Sequence, residues 1–424
     1  MRKELPFSVE EARAFTGIYP TPMLIYDEQG IRETVASVQQ AFAWNKGFCE
    51  YFAVKAAPVP GILRLLKSLG CGTDCASITE LELSRRSGIV GDRIVFSSNE
   101  TEPEEYVHTA KLGGIINLDD LTQVENLEKA LIDADLPFPD TICCRYNPGR
   151  FAMSNDIMGH LYDSKYGMMK EQLFEAYRKL RELGVKKFGL HAFLQSCSLD
   201  ETYYPKLCEE LFPLALEIRE KTGITVSFID LSGGIGIPYR PEEKPVDILR
   251  IGEKVHEVYD RILKSAGMEP TLCTELGRFI TGAHGYLLTK VIGLKHIYKE
   301  YVGVDASACD MMRPAMYGAY HEIRVLGKTP SEEDPVVDVV GQLCENNDKF
   351  AIDRKLPKVE IGDLLVICDS GAHGRSMGYN YNGRTRCGEY LLQKDRKLKQ
   401  IRRPEEIKDL FATFDIDQEF QQKQ

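Results

Sequence analysis

The stretch Cys49-Glu50-Tyr51-Phe52-Ala53-Val54-Lys55-Ala56-Ala57-Pro58 reads as a short apolar strand closed by a lysine. It opens an alternation of strand and helix patterns that reaches residue 276. Candidate strands fall at residues 51–54, 72–74, 93–96, 114–117, 141–146, 187–191, 227–231 and 271–275, each a short apolar run bounded by turn residues. Between them lie helical segments such as 171–183, in which Leu173, Ala176, Tyr177, Leu180 and Leu183 recur at three-and-four spacing. Strands that alternate with helices make parallel βαβ units. Eight of them closing on themselves make an α/β fold of the (β/α)8 TIM-barrel type, about 250 residues long.

The pattern changes after residue 285. Runs at 286–294, 322–326, 336–340, 364–367 and 390–392 are strand-like, with little helix between them, and residues 21–26 read as a strand preceding the barrel. The expected organisation is a barrel over residues 30–285 and a mainly β domain built from 1–29 and 286–424. The last four residues, Gln-Gln-Lys-Gln, read as disordered.

Composition narrows the function classes. A formal net charge of -11 argues against nucleic acid or an anionic membrane as partner, which leaves a small-molecule substrate. Residues 1–15 carry two basic residues but no apolar core, so no signal peptide is expected. No run has the length of a membrane span, and the expected location is cytoplasmic. The twelve cysteines form no disulfide framework and read as free thiols; Cys71 with Cys75 and Cys143 with Cys144 lack partner pairs at zinc spacing, so no metal is expected.

In a barrel of this kind the strand C-termini line the active site, and the loops after strands seven and eight often hold a phosphate. After strand seven comes Ser232-Gly233-Gly234-Ile235-Gly236, and after strand eight Glu275-Leu276-Gly277-Arg278. Such glycines either make tight turns or let backbone N–H groups approach an anion. Lys55 is either a strand-end lysine that snorkels to water or an amine kept for Schiff-base chemistry. A phosphate site beside a reactive lysine suggests pyridoxal phosphate, whose ring acts as an electron sink when a carboxylate keeps its nitrogen protonated. Glu275 either supplies that carboxylate or pairs with Arg278 alone.

Taken together, these residues resemble the fold-type III pyridoxal-phosphate decarboxylases, and within them the diaminopimelate decarboxylases, over residues 18–395. The resemblance is carried by Phe52 to Ala56, by Gly72-Thr73-Asp74 with Ser77 and Glu80, by Arg145 to Gly149, by Ser164 to Gly167, and by the two glycine loops. It extends to Arg313-Pro314-Ala315-Met316-Tyr317, to Cys344-Glu345 with Asp348, and to Asn380-Tyr381-Asn382. The resemblance implies decarboxylation of meso-2,6-diaminopimelate to L-lysine and carbon dioxide. It also leaves open a related decarboxylase for another basic or D-configured amino acid (ornithine, lysine or a carboxylated polyamine precursor), or a non-catalytic homologue.

The resemblance further implies that Lys55 and Cys344 are catalytic. It assigns Lys55, Asp74, His191, Phe193, Ser196, Gly233, Gly234, Glu275, Gly277, Arg278 and Tyr381 to the cofactor, and Arg278, Arg313, Tyr317, Glu345 and Tyr381 to the substrate. Cys344 and Glu345 would enter the neighbouring subunit's site, which implies a homodimer. Five positions depart from the family pattern: Phe193 replaces a ring-stacking histidine, Ala57 an asparagine, Ser232 a glycine, Leu276 a proline and His373 a tyrosine. A phenyl ring can stack on a pyridine but cannot exchange a proton.

Overall fold

The computed structural model describes residues 4–151 and 161–415, so the expectation for the last four residues lies outside what is described. The chain divides into two compact units, Glu28–Ala283 and a second unit formed by Met1–Asp27 with His284–Gln424.

The second unit contributes β1 (Met23–Asp27) at the start of the chain. The strands of unit Glu28–Ala283 then follow in order: β2 (Cys49–Ala53), β3 (Gly72–Cys75), β4 (Ile94–Ser97), β5 (Ile115–Leu118), β6 (Thr141–Arg145), β7 (Lys187–His191), β8 (Phe228–Asp230) and β9 (Thr271–Thr274). Consecutive strands pair in parallel, and β2 pairs with β9 to close the barrel. All eight expected strands are present. The first differs at its end: it stops at Ala53, and Val54–Ala56 form a 3-10 turn closed by Ala57 N–H donating to the Val54 carbonyl at 3.1 Å. Lys55 therefore stands in the turn that leaves the sheet, not in the strand.

Side chains two residues apart on a strand share a face. Inside the barrel this period builds two layers. Tyr51, Val95, Ile115, Cys143, Phe228 and Cys273 form an apolar plug, with Cys49 below. Two residues further along, the same strands present Ser97, Asn117, Arg145, Asp230 and Glu275. Asp74 follows Gly72 and His191 follows Gly189 by the same step. The two glycines make room for the plug. A Cβ on Gly189 would stand 2.1 Å from the Phe228 ring, and one on Gly72 2.5 Å from the Tyr51 ring.

The second unit continues with β10 (Gly285–His296), β11 (Glu300–Val304), β12 (Ile323–Val325), β13 (Val336–Val340), β14 (Lys349–Lys355), β15 (Leu364–Ile367), β16 (Gly388–Leu392) and β17 (Leu398–Arg402). With β1 they form a nine-stranded sheet of order β14-β13-β11-β10-β1-β16-β17, with β15 joining β10 to β12. Met23 and Ile25, Tyr286 and Leu288, Val366 and Cys368, and Tyr390 and Leu392 alternate onto one face. That face is covered by Phe7, Ala12 and Phe15, the last two from the helix Val9–Ile18, whose start is fixed by a capping box between Ser8 and Glu11. The sequence reading lacked β11, β14 and β17. The last two are the ends of the strand order, and their polar, solvent-facing residues hide the apolar signal.

Among the described residues no helix is long and apolar enough to cross a membrane, and no cluster of three His, Cys, Asp or Glu side chains is arranged to hold a metal ion.

Candidate active site

The polar layer at the C-terminal ends of the barrel strands gathers the reactive groups. Lys55 Nζ lies 3.3 Å from Asp74 Oδ2; the lysine side chain is 55% exposed and the aspartate only 2%. Asp74, followed by Glu275 and Glu80, raises the lysine's pKa against the opposing effect of burial. Among the described residues the other aspartate oxygen, Oδ1, is buried without a hydrogen-bond partner.

Glu275 is the best-supported carboxylate of the layer. Its Oε2 accepts from Ser232 Oγ at 2.6 Å and from His191 Nε2 at 3.1 Å, while Oε1 meets Ser97 Oγ at 3.4 Å, itself held by Asn117 Nδ2 at 3.0 Å. Four carboxyl groups share this interior, and their partners sort their charges. Burial pushes Glu50 and Asp230 far above the ordinary range, and Asp74 up to about 7, with the charge of Glu275 adding to each. Burial also acts to raise Glu275, yet His191, Ser232 and Lys55 hold it well below the usual carboxylate range. Glu275, just past the end of β9, is thereby kept ionised.

The two glycine loops close around this group. Ser198 N–H donates to the Gly234 carbonyl and Gly236 N–H to the Ser198 carbonyl, each at 2.8 Å, which joins the loop after β7, the loop that carries Ser196, to the loop after β8. Gly233 lies against the Glu275 backbone and faces Phe193: a Cβ there would be 2.6 Å from the Glu275 carbonyl and 3.8 Å from the phenyl ring. Among the described residues the N–H groups of Gly233 and Gly234 donate to no protein acceptor. Gly277 packs on Ala53 and Ala56, either side of Lys55, and Arg278 Nη1 donates to Tyr239 Oη at 2.5 Å.

Gly234 has φ +105°, and a Cβ would stand 2.5 Å from the Gln195 carbonyl and 2.7 Å from the Tyr203 ring. Gly234→Ala is therefore expected to lower stability by about 1–3 kcal/mol and to weaken anion binding at the rim. Denaturant midpoints and phosphate binding check this; an unchanged midpoint would contradict it.

The second unit holds its own group, packed around Ala308, Cys309 and Leu343. Ala315 of the short helix Arg313–Tyr317 packs on this cluster. Arg313 is buried and donates to His321 Nε2 at 2.8 Å, while His321 Nδ1 donates to the Cys368 carbonyl at 2.8 Å. A carbonyl only accepts, so the imidazole proton sits on Nδ1 and Nε2 is free to accept from the guanidinium. Cys344 N–H donates to Asn382 Oδ1 at 2.7 Å, tying the Cys344-Glu345 loop to the Tyr381 turn. Ten cysteines are buried and Cys197 is half-buried, so Cys344 is the exposed thiol of the twelve. Tyr317 and Tyr381 are exposed as well. Asp348 is buried and accepts from Ala308 and Leu343 N–H at 2.7 and 2.8 Å, so it pins the loops while Glu345 faces out.

The sequence reading missed Ser97, Asn117 and Asp230 as members of the layer. The period-two step beyond Val95, Ile115 and Phe228 was the available signal. It also missed the pairing of Asp119 with Arg145 at 3.1 Å, in which Asp119 accepts from Gly167 N–H at 2.9 Å and anchors the loop after β6.

The pyridoxal-binding domain of the pyridoxal-dependent decarboxylases matches residues 28–282. Over 396 residues the chain is 39% identical to protein TabA of Pseudomonas amygdali pv. tabaci, covering 93% of this chain and 91% of that one. It is 35% identical over 396 residues to the diaminopimelate decarboxylase of Methanothermobacter thermautotrophicus, covering 92% and 91%. The crystal structure of the M. jannaschii diaminopimelate decarboxylase in complex with L-lysine superposes with a TM-score of 0.88 at 29% identity, covering 96% of this chain and 94% of that one. With a closed barrel, a lysine in the turn after its first strand and a family match over the whole barrel unit, the chain belongs to the pyridoxal-dependent decarboxylases, carboxy-lyases whose cofactor is pyridoxal phosphate.

Proposed function

We propose that the protein removes one carboxyl group from meso-2,6-diaminopimelate and releases L-lysine and carbon dioxide. The observation that carries this reading is 35% identity to a diaminopimelate decarboxylase over nine-tenths of both chains, joined to a barrel rim where a lysine amine pairs with Asp74 and a buried glutamate is held by Ser232 and His191.

Pyridoxal phosphate suits the residues of that rim. Lys55 offers an amine for its aldehyde, and Asp74 holds a buried oxygen without a partner beside that amine. Gly233, Gly234, Gly277, Ser196, Arg278 and Tyr381 are the proposed phosphate ligands, and Phe193 and His191 the groups beside the ring. When bound, the cofactor supplies a conjugated cationic ring that accepts the electron pair released as carbon dioxide departs.

The chain's own groups do the rest. Glu275 keeps the ring nitrogen protonated, because its charge is held in place by two donors. Lys55 and Cys344 are the candidate acids that return a proton to the substrate's Cα. Arg278, Arg313 and Tyr317 hold the distal carboxylate, and Glu345 the distal ammonium. We further propose a cytoplasmic homodimer in which the Cys344-Glu345 loop serves the partner's barrel. Sizing at falling concentration should then show activity lost together with the dimer, and a fully active monomer would contradict it.

A panel of amino acids assayed for released carbon dioxide tests the substrate. Turnover of meso-diaminopimelate with equal lysine formation is expected; turnover of ornithine without diaminopimelate would overturn the assignment. Arg313→Ala should raise KM for diaminopimelate about 10- to 100-fold, the worth of one charge-assisted hydrogen-bonded pair, with a smaller change in kcat. Steady-state kinetics check this, and an unchanged KM would remove Arg313 from substrate binding.

A further inference from the structure

Ser232 occupies a backbone position that glycine takes more easily. Its φ is +55°, in the left-handed region where a Cβ crowds the following carbonyl. The backbone there is fixed without help from the side chain. Its N–H donates to Asp230 Oδ1 at 2.8 Å, and its carbonyl accepts from Tyr204 Oη at 2.7 Å and from Glu275 N–H at 2.8 Å. Glycine would keep all three bonds. What the serine adds is its hydroxyl, 2.6 Å from Glu275 Oε2.

That oxygen also takes His191 Nε2 at 3.1 Å, whereas Oε1 has only the long 3.4 Å approach of Ser97. We propose that Ser232 is a positioning residue for Glu275: together with His191 it occupies Oε2, fixes the carboxylate plane, and leaves Oε1 as the oxygen that meets the proton on the cofactor's ring nitrogen. This inference rests on the cofactor assignment above.

The titratable groups around Glu275 are Lys55 and His191, the carboxyls of Glu50, Asp74 and Asp230, the thiols of Cys143 and Cys273, and the Tyr204 hydroxyl. Burial favours the neutral form of all those acids. Only donor and cationic partners keep Glu275 ionised, and the Ser232 hydroxyl is the shortest of them. Removing it raises the pKa of Glu275, so any activity that needs the carboxylate fails at a higher pH on the acid side.

The test compares wild type and Ser232→Gly as holoenzymes loaded with pyridoxal phosphate carrying 15N in its ring. The glycine variant should bind the label one-to-one with a Tm no lower than wild type, since the strained Cβ is gone. At a given pH its ring-nitrogen resonance should lie closer to the unprotonated position than in wild type, because a more basic Glu275 draws the shared proton toward itself. Its kcat should fall about tenfold with KM little changed, as for loss of one hydrogen bond to a charged group. Identical nitrogen titrations and kcat in the two proteins would overturn the role of Ser232 alone. A wild-type protein that binds no label would overturn the cofactor assignment and this inference with it.

Discussion

Replacing Lys55 with alanine is expected to leave a folded protein that no longer retains pyridoxal phosphate through gel filtration and releases carbon dioxide at less than about one-thousandth of the wild-type rate. The fold should survive because the lysine side chain is half exposed and lies in a 3-10 turn whose backbone hydrogen bond needs no lysine. Asp74 loses its cation, but its carboxyl already titrates near 7, pushed up by burial and by Glu275, and it can take up a proton instead of remaining as an uncompensated buried charge. The loss should therefore be chemical. Far-ultraviolet dichroism close to wild type, with absent turnover, separates that outcome from unfolding. Turnover retained within tenfold would end the assignment of Lys55.

Glu275→Gln is expected to cost about 100- to 1,000-fold in kcat while leaving the cofactor bound, the scale seen when one electrostatic stabiliser is removed from a transition state. Glutamine keeps the volume and can still accept from Ser232 and His191 through its carbonyl oxygen. What it loses is the charge of a buried carboxylate whose His191, Ser232 and Lys55 partners outweigh its burial. The ring nitrogen would then have no anion to hold its proton, and the electron pair left by carbon dioxide would have a poorer acceptor. KM should change less than kcat, because the missing charge acts on the reacting bond more than on the substrate's far end. A variant with kcat within threefold of wild type would show that the reaction does not use this carboxylate.

The barrel was legible because parallel, buried strands read as continuous apolar runs, and all eight stood out between amphipathic helices. Strand ends were less so. The turn at Val54–Ala56 is dictated by how the chain leaves the sheet toward Pro58, and no residue type marks it. The edge strands β14 and β17 carry charged residues that protect a sheet margin and so look like loops.

In the site, Lys55, Glu275 and the glycine loops could be found from position alone, as polar or glycine residues at strand C-termini. Their pairing could not. That Ser232 and His191 converge on one oxygen of Glu275 depends on the C-terminal ends of three neighbouring strands, β7, β8 and β9, coming together. That Asp348 is structural while its neighbour Glu345 faces outward depends on the N–H groups of Ala308 and Leu343, one of them 40 residues away.

The most direct measurement is reductive trapping. The holoenzyme is treated with borohydride, digested, and the pyridoxyl-bearing peptide sequenced. One label per chain is expected, on Lys55. A label on any other lysine, or no label at all, would contradict it.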